Sequence, residues 1–339
     1  MRYRAWQTFS AQSRRPSHRA DRVAEVAPRP AFACRQCGAG LKWSPGDEQL
    51  ACPYCGALND APAAAAAIEE LDYHTHLAQV ATEQATQEVL TTKCSGCGAE
   101  WTMDANIVAG ECPFCAHSVV LTGQSSRLIK PASLLPFRVT RRDAEAALRT
   151  WSGKLWLAPN DFRDRARRTG GITGIYIPYW TYDCDADTRY RGQRGEYYYV
   201  TVNYTTTENG KTVRRQRQER RTRWYPASGR VFNHFDDVLV VGSTALPGDV
   251  CEALEPWDLP SLVPYADEYV SGFRAQSYSV DLPTGFENAK QAMQGRIEQS
   301  VCADIGGDTQ QIYQLDTRYS NITFKHLLLP VWISAYRYK

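Results

Sequence analysis

Two cysteine motifs near the start of the chain, Cys34-Arg-Gln-Cys37-Gly38 and Cys52-Pro-Tyr-Cys55, decide how this part of the sequence folds. Both recur sixty residues later, as Cys94-Ser-Gly-Cys97-Gly98 and Cys112-Pro-Phe-Cys115, so the sequence contains an internal repeat. Fourteen residues separate the two pairs of each copy, a spacing that suits a zinc ribbon, in which two β-knuckles bind one Zn²⁺. We therefore predict two structural zinc ions, bound by Cys34, Cys37, Cys52 and Cys55 and by Cys94, Cys97, Cys112 and Cys115.

The alternative interpretation is that these cysteines are buried or redox-active. A redox Cys-x-x-Cys motif normally opens a helix as a single pair, whereas this chain has two matched quartets. Four thiolates at each site leave no coordination position for a catalytic water, so the metals are predicted to be structural. Thiolates that must stay reduced indicate a cytoplasmic protein.

The 339 residues suit two or three domains, and 43% apolar with 22% charged residues is an ordinary globular composition. No run approaches the ~18 apolar residues of a membrane-spanning helix. We predict an α+β protein: two tandem rubredoxin-like zinc ribbons, then a mainly antiparallel β domain with a few helices. The predicted segments are a disordered basic N-terminal arm or mis-called start (1–30), zinc ribbon 1 (31–60), a linker with a short helix at Ile68–Val80 (61–90), zinc ribbon 2 (91–122), and the α+β domain (123–339).

The β domain is predicted to contain two related strand–helix–strand units, since Ile177-Pro-Tyr-Trp180 matches Leu329-Pro-Val-Trp332. The first unit has a helix at Arg141–Trp151, headed by Thr140, and a strand from Ile172 to about Asp183. The second ends at Lys339, where the first enters a hairpin, so we expect a truncated product. Its predicted elements are a strand at Ala275–Val280, a helix opened by a Thr284–Glu287 capping box, and strands at Gln310–Asp316 and His326–Tyr338.

Charge separates two classes of partner. Residues 31–122 hold eleven acidic residues against Arg35, Lys42 and Lys93, and each Zn(Cys)₄ centre adds further negative charge. Nucleic-acid binding depends on Lys and Arg neutralising phosphates, so the predicted ribbons suit protein–protein contact better. We predict a non-catalytic adaptor with one or more protein partners.

A basic hairpin supports the second function hypothesis, nucleic-acid binding through residues 208–225. Asn209-Gly210 favours a type I′ turn between a strand at Tyr197–Thr206 and a return strand at about Lys211–Tyr225. We expect a protruding ribbon or an edge strand, with Tyr198, Tyr204 and Trp224 available to stack on bases. The alternative is a solvated hairpin neutralised by the acidic stretch 231–287. The candidate nucleic-acid-binding residues are Lys211, Arg214, Arg215, Arg217, Arg220, Arg221 and Arg223.

No motif in the sequence predicts an enzyme. Thr205 stands where a phosphate-binding loop ending in Gly210-Lys211-Thr212 needs glycine, and no other Walker-type loop or G-x-S-x-G elbow occurs. Asp183, Asp185 and Asp187 alternate along one strand and are interpreted as a solvated acidic edge rather than a cation site. His74 and His76 are expected to be exposed linker residues.

The cysteine motifs, Leu135-Pro-Phe137, Ile177-Pro-Tyr-Trp180 and His326-Leu-Leu-Leu-Pro-Val-Trp332 together resemble a bacterial tandem zinc-ribbon family. Its members are labelled TFIIB-type zinc-ribbon protein or primosomal protein N′ (replication factor Y)-like helicase. The resemblance covers about Phe32 to Lys339. It implies a cytoplasmic adaptor, tethered to a membrane beyond Lys339 and linked to SPFH (flotillin-like) or envelope-stress systems. The helicase in that label needs a nucleotide-binding motor, which this sequence lacks.

Overall fold

The computed structural model describes residues 32–61, 67–81, 86–102, 109–115, 118–120, 124–154, 172–208 and 211–334. The basic segment predicted at 1–30, the Asn209-Gly210 turn and the end of the strand predicted to reach Tyr338 lie outside these residues. Within them the protein is α+β, with mostly antiparallel sheets and few helices, as the sequence predicts.

The first cysteine module, residues 32–61, is a small three-stranded antiparallel sheet. Trp43 and Leu50 lie opposite each other in its ladder, and both are buried. They do not form a separate core, because they pack with Phe137, Tyr176 and other side chains of the main sheet. The strands are β1 (Lys42–Ser44), β2 (Gln49–Ala51) and β3 (Leu58–Asn59).

The segment predicted as a linker contributes to the main body of the protein. Strand β4 (Leu71–Asp72) pairs with Thr323 and Phe324 of the last long strand, and helix α1 (Tyr73–Ala81) follows it directly. His76 is buried, with its ring 5.0 Å from that of Phe324, so the expectation that it is exposed was wrong.

The second cysteine module follows α1 and comprises residues 86–102, 109–115, 118–120 and 124–129. Its longest strand pairs with a neighbour on each side, in the order β6-β5-β9, and β7 and β8 form a separate hairpin. The strands are β5 (Thr86–Lys93), β6 (Glu100–Thr102), β7 (Ala109–Glu111), β8 (Ser118–Val120) and β9 (Gln124–Ile129).

The main sheet has seven strands and is dominated by three very long ones. Its order is β12-β11-β15-β10-β13, with β14 added to β11 and β4 to β15. A 3₁₀ turn at Leu259–Ser261 precedes β13. The remaining elements are β10 (Ser133–Leu134), α2 (Arg141–Lys154), β11 (Thr173–Glu208), β12 (Lys211–Val241), α3 (Gly248–Glu252), β13 (Val263–Pro264), α4 (Asp267–Val270), β14 (Arg274–Ala275), α5 (Leu282–Ile305) and β15 (Thr309–Ile333).

Helix α5 covers one face of the long strands. Phe286, Met293 and Ile297 recur at helical spacing and are buried against Trp180, Tyr182 and other aromatic side chains of the sheet. Two adjacent glycines end the helix, and the first, Gly306, has a φ of +67°, a conformation that glycine adopts at little cost.

Several predicted boundaries were wrong. β11 continues far beyond Asp183, and the two strands predicted at Gln310–Asp316 and His326–Tyr338 are one strand. The strand predicted at Ala275–Val280 is instead the two-residue β14, Arg274–Ala275, which overlaps the predicted range only at Ala275. The cap of α5 is Asp281, whose Oδ1 accepts a hydrogen bond from the Thr284 N–H at 2.9 Å. The predicted Thr140 cap of α2 is confirmed, since its Oγ1 accepts from the Asp143 N–H at 3.2 Å.

One short segment, residues 271–277, contacts both cysteine modules. On the first module, the Trp43 N–H donates to the Ser271 carbonyl at 3.0 Å. On the second module, the Thr102 hydroxyl donates to the Ala275 carbonyl at 3.0 Å, and the Ser277 N–H donates to the Glu100 carbonyl at 3.1 Å. The same segment pairs with β11, so it joins both modules to the main sheet.

Candidate metal centres and the projecting hairpin

The first cysteine module brings its four predicted ligands together. The Sγ atoms of Cys34 and Cys55 are 3.7 Å apart, and those of Cys37 and Cys52 are 3.5 Å apart. All four sulfur atoms lie within 4.8 Å of one another. Two tight turns create this arrangement: the N–H groups of Gly38 and Gly56 donate to the carbonyls of Cys34 and Cys52, and both glycines have positive φ.

The second cysteine module repeats the same arrangement with its own four ligands. Cys94 and Cys115 have their Sγ atoms 3.7 Å apart, and so do Cys97 and Cys112. The Gly96 N–H points at the Cys94 sulfur, 3.3 Å away. In both modules the first cysteine of each pair is buried towards the protein, whereas the second is more accessible to solvent.

These distances fit a four-thiolate metal site. A tetrahedral Zn²⁺ with Zn–S bonds of ~2.3 Å places its sulfur atoms ~3.8 Å apart, whereas a disulfide requires ~2.05 Å. The residues present therefore suit a metal ion such as zinc at each module, and the two clusters are compatible with the predicted tandem zinc ribbons.

The ionisation of the metal-free thiols shows what an ion would change. The Cys37 N–H points at the Cys34 sulfur and lowers its pKa to about 6. The Ala39 N–H also lowers the pKa of the Cys37 thiol. Hydrogen bonds between Cys37 and the thiols of Cys52 and Cys55 have the larger combined effect and raise the pKa of Cys37 to about 12. Without metal, the four sulfurs therefore hold some of their protons, and a dication that binds all four thiolates must displace them.

The second candidate region is the tip of the long β11–β12 hairpin. β15 pairs with β11 only from Thr173 to Gly195, whereas β12 continues to pair with β11 as far as Glu208 and Lys211. Residues 196–208 and 211–223 therefore form a two-stranded ribbon, the projecting hairpin. Thirteen residues at ~3.3 Å each give it a length of ~43 Å.

All seven candidate nucleic-acid-binding residues lie on the projecting hairpin, and the strand register divides them between its faces. Residues directly opposite in the ladder share a face, and alternate residues along a strand face opposite ways. One side, here called the basic face, also holds Tyr198, Val200, Val202 and Tyr204. It carries Lys211, Arg215, Arg217, Arg221 and Arg223, whereas the opposite face carries Arg214 and Arg220.

The two tyrosines of the basic face each have an arginine against one side of the ring. Arg217 lies 5.6 Å from the centre of the Tyr204 ring, and Arg223 lies 5.2 Å from that of Tyr198. Each of these two rings therefore already has a cation–π partner, while 38% of each residue stays exposed, so stacking on bases remains a prediction.

The acidic stretch 231–287 does not neutralise the hairpin. Asp236 lies thirteen residues from Arg223 on the same strand, which corresponds to ~43 Å. Three acidic residues share the basic face with its five cations: Glu219 pairs with Arg217 at 2.5 Å and reaches Arg221 at 3.9 Å, and the register places Glu196 opposite Arg223 and Glu208 opposite Lys211. The basic face therefore keeps an excess of positive charge.

The three alternating aspartates do not share one environment. A β-bulge at Asp183 breaks the alternation, so Asp183 is buried, whereas Asp185 pairs with His234 and Asp187 with Arg230 on the solvent side. Asp183 instead lies near Asp236 and Asp237. The Lys325 ammonium group, 2.7 Å from Asp237, already supplies a cation to this cluster.

Two features of these regions were missed from the sequence. Residues 271–277 connect the cysteine modules, and no motif marks them because their contacts are made mainly by backbone groups. Gly195 stands where the third strand ends, and a Cβ there would approach Thr222 and Trp224 to 2.8 Å. Its glycine, within a run of strand-forming residues, was a signal of close backbone approach. Within the described residues, no helix is both long and apolar enough to cross a bilayer.

Comparison with curated proteins finds a bacterial protein that is similar to this chain. The uncharacterized protein YdjG of Bacillus subtilis (strain 168) is 25% identical over 224 residues. The match covers 66% of this chain and 62% of the relative, so this chain spans less than two thirds of the relative's length. No family model matches the sequence. No solved structure matches it either.

Proposed function

We propose that this protein is a non-catalytic, zinc-binding adaptor that presents the projecting hairpin to an acidic surface of a partner protein. The observation that carries the proposal is the hairpin itself. An isolated two-stranded ribbon is at best marginally stable in water, because it has no core of its own. Thirteen residue pairs with solvent on both faces contribute little to the stability of the body, so their role is contact with another molecule.

The composition of the basic face favours a protein partner. Arginine and tyrosine are enriched at the energetic centres of protein interfaces, and here they alternate with Val200 and Val202 on one face. Tyr198 and Tyr204 each have an arginine against one face of the ring, which leaves less ring surface for stacking on bases. This mixed cationic and apolar surface suits an acidic protein surface with exposed apolar groups.

Two structural Zn²⁺ ions complete the proposal. Within it, the cysteine modules are the tandem zinc ribbons expected from the sequence, and they hold the body that carries the hairpin. Four thiolates per ion leave no open position for catalysis, which supports a binding role rather than an enzyme. Eight cysteines that must stay unoxidised support a cytoplasmic location.

Nucleic-acid binding is the second candidate function. Cations two residues apart on a strand are ~6.6 Å apart, close to twice the ~3.4 Å rise per phosphate of one DNA strand. A two-stranded ribbon also fits the major groove of DNA. This mode needs only phosphate contacts, so the arginines against the two tyrosine rings do not exclude it.

Site-specific photo-crosslinking tests the two functions in cells. A photoreactive residue in place of Tyr204, which lies on the basic face opposite Arg215 and is 38% exposed, would react with whatever lies against that face. Arg217→Gln/Arg223→Gln on the basic face is compared with Arg214→Gln/Arg220→Gln on the opposite face, a matched control with the same change in charge. We expect protein adducts that the first pair abolishes and the second retains. A membrane-associated partner, which the family resemblance implies, would appear among them.

Fluorescence anisotropy with single- and double-stranded DNA tests the nucleic-acid alternative. Tight binding of zinc-loaded protein that weakens steeply between ~50 and ~200 mM salt, and that Arg217→Gln/Arg223→Gln abolishes, would replace the protein-adaptor proposal with the nucleic-acid function. Protein adducts that persist in the basic-face variant would contradict the proposed contact surface.

A further inference from the structure

A cleft of about 560 Å³ lies between the first cysteine module and the main sheet. Five elements border it: β1, the start of α2, the start of β11, β14 and the end of β15. Its volume is within the ~300–1,000 Å³ typical of small-molecule sites. The side chains that give it its chemistry are Lys42, Arg141, Arg274, Phe273 and Trp332.

The charge of the cleft is one-sided. Lys42, Arg141 and Arg274 line it, and none of the described residues that line it is acidic. Arg141 has a carboxylate partner outside the lining, Glu145, at 3.1 Å from its Nε. Within the described part of the chain, neither Lys42 nor Arg274 forms an ion pair. Three cations that line one cleft and have a single carboxylate partner among them favour the binding of an anion between them.

The apolar wall of the cleft is held rigidly. The Phe273 ring stacks on Phe137 with centroids 4.0 Å apart and planes 8° apart, and the Trp332 Nε1–H donates to the Val139 carbonyl at 3.0 Å. Gly272 has a φ of +89° and lies close to the Lys42 side chain, since a Cβ added to Gly272 would be 3.2 Å from it. The wall is therefore formed before any ligand arrives, which reduces the entropic cost of binding.

We propose that this cleft binds a small organic oxyanion, with its charged group among Lys42, Arg141 and Arg274 and its apolar body against Phe273 and Trp332. The charged group is a phosphate or a carboxylate, since both match the fork of a guanidinium group. The site is independent of the projecting hairpin and goes beyond the adaptor function. The ligand would contact the first cysteine module and the sheet at once.

Isothermal titration calorimetry on the full-length, zinc-loaded protein tests the site with four probes: phenyl phosphate, benzoate, inorganic phosphate and phenol. We expect phenyl phosphate or benzoate to bind more tightly than inorganic phosphate or phenol, because only the former two use both halves of the cleft. The comparison of phenyl phosphate with benzoate identifies the preferred oxyanion. Phenol binding as tightly as the charged probes, or no heat from any probe, would overturn the proposal.

Two variants assign the binding to this cleft. Arg274→Gln and Lys42→Gln should each weaken binding by about ten-fold, the effect of losing one charge-assisted hydrogen bond. Arg214→Gln on the projecting hairpin makes the same change in charge far from the cleft and should leave binding unchanged. Equal weakening by all three variants would show diffuse attraction instead of a site. Lys42 is exposed, so its variant remains informative if Arg274→Gln fails to fold.

Discussion

Ile177 and Leu329 lie directly opposite each other in the antiparallel ladder between β11 and β15. Each begins one copy of the repeated motif, so the two copies meet in the centre of the sheet and are related by a local two-fold axis.

The prolines of the motif lie where they break no ladder bond. The Pro178 carbonyl accepts a hydrogen bond from the Gly242 N–H, one residue past the end of β12. The Leu328 carbonyl accepts one from the Leu135 N–H, one residue past the end of β10, and Pro330, two residues further along β15, faces the same side. Each proline therefore turns its nitrogen towards a side where the neighbouring strand has ended.

Cys52→Ser should destabilise far more than the cluster itself. Cys52 is 3% exposed and belongs to the core that the first cysteine module shares with Phe137 and Tyr176. A structural Zn²⁺ contributes ~10–16 kcal/mol in small peptides, comparable with the whole stability of a domain. We expect a loss of several kcal/mol and a fall of roughly 10 °C or more in the Tm of the zinc-loaded protein, measured by calorimetry.

The matched control is Cys302→Ser, since Cys302 is half-buried and belongs to neither cluster. It should cost no more than about 1 kcal/mol. A Cys52→Ser protein with the Tm of this control would show that the first site is not structural.

Two glycines of α5 should respond to alanine in opposite directions. A Cβ at Gly285 would overlap the Tyr182 hydroxyl and lie 3.0 Å from Trp180, whereas one at Gly295 would meet nothing within 4 Å. Gly285→Ala is therefore expected to destabilise by about 1–3 kcal/mol through overpacking, and Gly295→Ala to stabilise by about 0.5–1 kcal/mol through helix propensity. Urea denaturation measures both changes, and a shift of the same sign would contradict the packing of α5 on β11.

His326 should make the protein sensitive to acid. Complete burial lowers the pKa of its ring to about 4, from an ordinary value near 6.5. The unfolded chain therefore takes up a proton near pH 6.5 that the folded protein refuses until about pH 4, so this stability is lost as the pH falls through that window, by up to about 3 kcal/mol. Histidine-labelled NMR should show a His326 signal that does not shift between pH 7 and pH 5. A midpoint near pH 6.5 would contradict its burial.

Asp183 should act with the opposite sign. Burial is the largest cause that raises the pKa of its carboxyl group, to about 6. The folded protein holds this proton more tightly than the unfolded chain, so Asp183 costs stability above pH 6 and the cost disappears as the pH falls towards 4. Asp183→Asn keeps the acceptor for the Asp237 N–H, which lies 2.5 Å from Oδ1. Its stability relative to the original protein should rise by about 1–3 kcal/mol between pH 4 and pH 7. A difference independent of pH would contradict the assignment.

The projecting hairpin should be dispensable for folding. Tyr198 and Arg221 lie opposite each other and have the same place in the alternation of the ladder as Glu208 and Lys211, the pair next to residues 209–210, so residues 199–220 can be replaced by a two-residue Asn-Gly turn. Because the removed residues lie outside the hydrophobic core clusters, the free energy of unfolding should change by less than about 1 kcal/mol. A large loss, measured in the same denaturation experiment, would show that the hairpin supports the body.

Structural features that follow from the spacing of nearby residues could be predicted from the sequence, and features that depend on contacts between distant residues could not. The eight thiol positions follow from short intervals, and the pairing of Tyr197–Thr206 with Lys211–Tyr225 follows from one turn. The full length of β15 was missed because polar residues occupy both faces of its first half, which hides the alternation that marks a strand. The bulge at Asp183 moved one aspartate into the interior, and no residue pattern indicates it.

The segment at residues 271–277 should make the two proposed zinc sites thermodynamically dependent on each other. Since this one stretch of backbone is hydrogen-bonded to both cysteine modules, we expect an ion in the first site to order part of the surface against which the second module packs. The first ion lowers the conformational entropy that the second must remove, and linkage makes the effect reciprocal. Zinc should therefore load and leave as a pair, so that a cell short of zinc would hold mainly fully loaded and empty molecules, with few that carry a single ion.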